Sequence, residues 1–203
     1  MPWTTPVTHL VGDFIDAPDW NLEVTGNMNA LRINYATTLP VSPSDGDQAV
    51  LVDSTTAPTY QWHFRYNAGS VSSFKWEYIG GAPKISYTQA AVSSAAASNV
   101  WSAGLGTSFT LPRQGDYDLR WSGRDDGNGA GSLSDYGIGY GTSPASADQY
   151  YNGTNTSQGF HRTLRATGLA ASTVLDFYIR DSDSTRRNPW SWRTLEVTPT
   201  RVI

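Results

Sequence analysis

Two loops of this 203-residue chain carry the carboxylates that acid–base chemistry would need. Asp125 and Asp126 stand in the run Asp-Asp-Gly-Asn-Gly-Ala-Gly, and Asp181 and Asp183 flank Ser182. Glycoside hydrolysis requires two carboxyl groups a fixed distance apart across a cleft, one of them held protonated by its surroundings. One residue from each loop would meet that requirement. Asp, Asn, Gly and Ser are also what turns demand, because they bond to their own backbone or tolerate positive φ, and the turn reading is preferred. The same runs offer oxygen ligands to calcium but lack the alternating Asp-x-Asp-x-Asp with a later Glu of the helix–loop–helix site. His9, His63 and His161 are far apart, without acidic companions at metal-ligand spacing. His63 falls on the polar side of an alternating stretch, where a solvated or hydrogen-bonded imidazole is expected. No nucleophile elbow, His-Glu-x-x-His, phosphate-cradling loop or dinucleotide fingerprint occurs. The sequence therefore points to no catalytic residue, no metal ligand and no cofactor, and the expectation is a protein that is not an enzyme.

Aromatic residues are the more abundant resource, with 8 Trp, 11 Tyr and 6 Phe. Exposed Trp and Tyr bind sugars by stacking on apolar ring faces. Tyr150, Tyr151 and Asn152 break the surrounding alternation and form the candidate ligand loop. Elsewhere the aromatics recur with period two, which favours a core or a subunit interface over a sugar-binding display.

Those residues need elements to carry them. Asp16 is an expected N-cap with Pro18 in the first turn. Trp20, Val24, Met28 and Leu31 then follow at helical spacing, although Gly26 costs about 1 kcal/mol relative to Ala. A marginal amphipathic helix after an extended, Pro-containing start needs a surface to pack on. Tyr60, Trp62, Phe64 and Tyr66 alternate with polar residues, and after a small-residue loop so do Phe74, Trp76 and Tyr78. That is an antiparallel hairpin with paired aromatic faces. Gly80-Gly81-Ala82-Pro83 is the expected boundary. Beyond it short strands recur between turns: Ile85 to Ala91, Ser108 to Leu111, Tyr117 to Trp121, Tyr136 to Tyr140, around Leu164, Leu175 to Ile179, and Trp190 onward. The expected fold is mainly β. An N-terminal segment with a short helix occupies residues 1–38, a small antiparallel β-module 39–83, and a C-terminal jelly-roll β-sandwich 84–203.

In the final strand Trp190 and Trp192 share one face by parity, while Leu195 and Val197 fall on the other. Either a bulge shifts the register near Arg193 or both faces are covered. The second reading is preferred. It requires a neighbouring subunit and makes Trp190, Trp192, Leu195 and Val197 the candidate trimer interface. The aromatic surplus is expected to be surface shared between subunits.

Composition bounds the partners. A net charge of −4 and a pI near 5.2 give no electrostatic reason to bind nucleic acid or an anionic membrane. No apolar run reaches the roughly 18 residues of a membrane span. The absence of cysteine removes disulfides and thiolate chemistry. Met1-Pro2-Trp3-Thr4-Thr5-Pro6 shows no secretory signal, so any extracytoplasmic destination is expected to be reached without the usual export signal, particle assembly and host lysis being one such route. Asn152-Gly-Thr and Asn155-Thr-Ser match the glycosylation sequon, which means little without such a signal.

Three stretches, taken in order, carry a resemblance. Pro2-Trp3-Thr4-Thr5-Pro6 through Gly12-Asp13, and Asp19-Trp20-Asn21 to Asn27-Met28-Asn29-Ala30-Leu31, resemble the N-terminal segment of tailed-phage structural proteins. Leu39-Pro40 through Asp45-Gly46, Trp62-His63-Phe64-Arg65-Tyr66 and Lys75-Trp76-Glu77-Tyr78 to Gly80-Gly81 resemble the small β-module of phage tail and head fibres, especially of actinobacterial hosts. Thr110-Leu111-Pro112 with Gly115-Asp116-Tyr117, and Trp192-Arg193-Thr194-Leu195-Glu196-Val197-Thr198-Pro199, are similar to their C-terminal jelly roll, itself like trimeric C1q/TNF-type heads. Glu23-Val24-Thr25-Gly26 departs from relatives that carry an Arg-Asp pair before the Asn. The resemblance implies a virion appendage assembled in the host cytoplasm, a minor tail protein of tail-tip or fibre type. It would be a homotrimer that holds other virion proteins through Trp3, Trp20, Val24, Met28 and Leu31. Its β-domain would face outward, where a host cell-surface glycan is a candidate partner. The alternatives are capsid decoration or head-fibre mounting, and a glycan-binding module without a structural role.

Overall fold

Alternation of aromatic and polar residues builds the sheet that dominates the molecule. The computed structural model describes Pro18 and residues 33–89, 92–93, 107–125, 134–140, 150–152, 158–181 and 189–203. The expected N-terminal helix, with Trp3, Trp20, Val24, Met28 and Leu31, lies outside the described residues.

The strands are β1 Asn34–Ala36, β2 Gln48–Val52, β3 Gln61–Tyr66, β4 Trp76–Ala82, β5 Lys84–Thr88, β6 Val92–Ser93, β7 Ser108–Thr110, β8 Gly115–Asp125, β9 Ser134–Tyr140, β10 Tyr150–Asn152, β11 Gln158–Leu169, β12 Val174–Asp181 and β13 Pro189–Val202. They form two sheets. The larger follows the order β1-β2-β3-β4-β13-β8-β11, with β5 and β6 also pairing β13, and the smaller follows β10-β9-β12-β7. All pairings are antiparallel except β1 with β2, which is parallel. The fold is a β-sandwich, and one buried cluster lies between its layers. Trp62, Phe64, Tyr117, Leu119, Leu195 and Val197 come to it from the larger sheet, and Ile138, Leu175 and Phe177 from the smaller. Burying side chains of this size contributes about 1.5–3 kcal/mol each.

The hairpin reading agrees with the structure. Tyr60, Trp62 and Phe64 are buried on one side of β3, and Tyr66 packs against the same cluster. Across the pair, Phe64 meets Tyr78 and Tyr66 meets Trp76, each edge to face with centroids 6.0 and 5.3 Å apart. A turn at Ser44 to Asp47 leads into β2. Its Asp47 N–H donates to the Ser44 carbonyl, and the Ser44 N–H donates back to Asp47 Oδ2 at 2.8 Å. Gly46 there has a φ of +87°, a conformation that costs glycine least.

Gly80 and Gly81 do not end the hairpin. They continue β4 through a bulge opposite His63 and Phe64, and only Pro83 separates β4 from β5. The boundary expected at 83/84 thus falls inside one sheet. Leu39, Trp62 and Phe64 on one side of it, and Tyr117, Leu119 and Val197 on the other, belong to one cluster.

β13 carries the second correction. From Trp190 to Trp192 it advances two residues while its partner β8 advances one, from Asp125 to Arg124. The bulge alternative therefore describes the backbone, and it lies just before Arg193. Beyond it, Arg193, Leu195 and Val197 face the interior with 0% exposure. Leu195 and Val197 are closed inside their own protomer and have no side-chain surface left for a partner. The aromatic surplus follows the same rule, since Tyr60, Trp62, Phe64, Phe74, Trp76, Tyr117, Trp121 and Phe177 are all buried within one chain. Trp192 alternates to the outer face and is half-buried.

Candidate functional site

A cleft opens at one end of the larger sheet, where three chain segments converge. The first is the Leu-Pro-Val-Ser-Pro run between β1 and β2, whose prolines hold it extended. It supplies Pro40, Val41 and Pro43 over the buried Leu39. The second is the end of the β3–β4 hairpin, with Tyr66, Ser73, Lys75 and Trp76. The third joins the turn before β8, which supplies Arg113, to Ile203 after β13. The last two are tied together by the Ile203 N–H, which donates to the Gln114 carbonyl at 3.0 Å. The cleft measures about 340 Å³.

Its floor is aromatic and fixed, because Tyr66 stands edge-on to Trp76. Val41 at its rim is 99% exposed, an apolar side chain left entirely in water. Among the described residues, Lys75 and Arg113 line it and no Asp or Glu does. Lys75 Nζ donates to the Ser70 carbonyl, which uses one of the three donors of an ammonium. The Arg113 main-chain carbonyl accepts from Tyr117 Oη at 2.6 Å. Its guanidinium makes no hydrogen bond or ion pair among the described residues.

A second, polar groove of about 440 Å³ lies on the outer face, between Glu77, Tyr78, Asp116, Arg165, Thr167, Thr200 and Arg201. Here the charges are matched. Arg165 holds Asp118 through two bonds of 2.8 and 2.9 Å, Arg201 approaches Glu77 at 3.9 Å, and Asp116 Oδ1 accepts from the Gly168 N–H at 2.9 Å. The other lysine, Lys84, is also committed. It donates to Thr59 Oγ1 at 2.8 Å and lies 5.8 Å from the Phe109 ring centre. Thr59 in turn donates to Asp53 through its N–H and its hydroxyl. Partial burial raises the Asp53 pKa, but these two bonds outweigh it and leave the carboxyl below its ordinary value.

The chemistry expected from the loops does not assemble. Asp125 ends β8 and Asp181 ends β12, in different sheets, while Asp126 and Asp183 lie outside the described residues. Tyr150, Tyr151 and Asn152 are not a loop. They form β10, an edge strand paired with Ser134, Asp135 and Tyr136 of β9. His63 is half-buried and bonded through Nε2 to Gln48 Oε1 at 3.1 Å. Among the described residues no three His, Asp or Glu side chains gather as metal ligands. Sequence reasoning missed Pro40, Val41, Lys75 and Arg113 as a group. The available signal was scarcity, because a chain with only two lysines places one of them, Lys75, between two aromatic residues.

No family model matches the sequence, and no curated protein does. Among solved structures, the infectious bursal disease virus VP2 subviral particle is similar at 15% identity, a TM-score of 0.43, and coverage of 80% of this chain and 41% of that one. The Gx strain of the same virus gives 15%, 0.40, 68% and 38%. The PRD1 vertex protein P5 gives 10%, 0.34, 81% and 86%. The chain thus spans about two fifths of the infectious bursal disease virus chains it is matched with. A likeness at this level assigns neither a family nor a function.

Proposed function

We propose that this chain is a structural component of a phage particle, a trimeric minor tail protein of tail-tip or fibre type. Its N-terminal segment would be fixed in the particle and its sandwich would face outward for host-surface adhesion. The ordered resemblance of its three motif stretches to tailed-phage appendage proteins supports the virion reading. One structural observation favours self-association, and it moves the contact from where parity placed it. On the outer face of the larger sheet, Ile85 and Tyr87 of β5 are 53% and 57% exposed. They stand opposite Glu196 and Thr194 of β13, on the same face as the half-buried Trp192. Apolar side chains grouped in this way mark a surface that gains from being covered. The trimer contact is therefore assigned to Ile85, Tyr87 and Trp192, with Leu195 and Val197 withdrawn from it, while the side chain of Trp190 lies outside what the structure describes.

Light scattering of the purified chain at tens of micromolar is expected to give three times the monomer mass, and Ile85→Asp with Tyr87→Asp a folded monomer. A wild-type monomer, both alone and when extracted from particles, would defeat the trimer. The anchor is tested separately in particles. Trp20→Asp with Leu31→Asp is expected to abolish incorporation without unfolding the sandwich, and normal incorporation would defeat it.

A further inference from the structure

We infer that the cleft between the Pro40–Pro43 run, the hairpin end and the turn before β8 binds an acidic saccharide, a sugar carrying a carboxylate. The inference rests on the surface-recognition part of the function proposed above and names its ligand class. Three observations converge on it. Among the described residues the cleft is lined by two cationic residues and by no Asp or Glu, in a chain whose net charge is −4. Elsewhere on the described surface the comparable groove is neutralised by its own carboxylates, Asp118 for Arg165 and Glu77 for Arg201. In the cleft, Lys75 retains donors, and the Arg113 guanidinium, whose charge also acts on the hydroxyls of Tyr60 and Tyr117, makes no hydrogen bond or ion pair among the described residues. A planar guanidinium presents paired N–H groups that match a carboxylate edge.

Apart from Ser73, the rest of the lining is apolar. Pro40, Pro43 and the Tyr66 ring, seated on Trp76, offer a surface suited to the C–H face of a pyranose. The volume is near the lower limit of small-molecule sites, ~300–1,000 Å³. That suits one or two sugar rings better than a length of folded partner. The carboxylate is placed at Lys75 and Arg113, and the ring face on Tyr66 and the prolines.

The test uses the full chain with a glucuronate-containing tetrasaccharide and a neutral glucose tetrasaccharide, followed by calorimetry and by amide shift changes in ¹H–¹⁵N spectra. The acidic probe is expected to bind, with shifts centred on residues 40–43, 66, 75–76 and 113, and the neutral probe at least about tenfold more weakly. Arg113→Gln is expected to weaken the acidic probe by about tenfold while leaving the unfolding temperature unchanged, and Lys75→Gln to act in the same direction. A soluble poly(glycerol phosphate) arm distinguishes phosphate from carboxylate recognition. Equal binding of both tetrasaccharides, binding of the phosphate polymer alone, shifts confined to another surface, or no binding at millimolar probe would each overturn the inference. None of these outcomes touches oligomeric mass or particle incorporation, so the structural proposal stands or falls separately.

Discussion

Across the outer face of the larger sheet, Arg165 of β11 stands opposite Asp118 of β8 and presents two N–H groups to its carboxylate. Those bonds hold the Asp118 carboxyl below its ordinary pKa, while partial burial works weakly the other way. Because the folded-state pKa is depressed, the pair stabilises the fold above the unfolded value of about 4 and loses its effect as pH falls through the folded value. Asp118→Asn is therefore expected to lower the unfolding temperature at pH 7, with the difference closing below about pH 4 in thermal melts followed by circular dichroism. A constant difference across that range would show that the bonds carry none of the stability. The pair was not legible in the sequence, since Asp118 and Arg165 lie 47 positions apart and only the register of two strands brings them opposite. The indoles of Trp62 and Trp121 were legible as buried by their parity. That both keep a buried N–H without a hydrogen-bond partner among the described residues was not, because parity fixes a face and says nothing of what waits there.

Strand periodicity told the truth wherever the ladder is regular. The alternations of β3, β8 and β12 were read from residue types alone, and Trp62, Phe64, Tyr117, Leu119, Leu175 and Phe177 are buried as expected. The misreadings of β13 and β4 fall on irregularities instead. The bulge of β13 before Trp192 reverses the parity count. Within β11 the register also shifts between Ala166 and Leu169, where Gly168 sits. Gly80-Gly81 looked like a terminator because glycine usually punctuates, yet it is what lets β4 run on against β3. A Cβ at position 81 would lie 2.0 Å from the Gln61 carbonyl oxygen, at a φ of +108°. Gly81→Ala is therefore expected to destabilise by about 2 kcal/mol or more, through both the clash and the strain. Gly69→Ala, which meets only Asn67 Oδ1 at an ordinary 3.5 Å, is the control. Equal urea midpoints for the two variants would refute the close approach.

At the scale of the molecule, the single core decides what can be cut. Residues 84–203 contain β5 to β13, but without β2, β3 and β4 they would expose Tyr117, Leu119 and Val202 where Trp62, Phe64 and Trp76 now share their cluster. Expressed alone, that fragment is expected to lack a cooperative thermal transition. A sharp melt with dispersed amide resonances would restore the boundary at Pro83. The class of fold was legible from composition and alternation. The cleft was not, because its walls come from positions as far apart as Val41, Arg113 and Ile203. β13 makes the same point about order in time. One of its edges pairs β8, and the other pairs β6, β5 and β4 in turn. It is also the last of these strands to leave the ribosome. During vectorial synthesis the two halves of the larger sheet must wait, unjoined, for that closing strand. A topology so dependent on distant pairings folds slowly and leaves aromatic strands open to a nascent neighbour meanwhile. Where chains of this kind are made side by side on one message, the interval before β13 arrives is when chaperone capture would matter most.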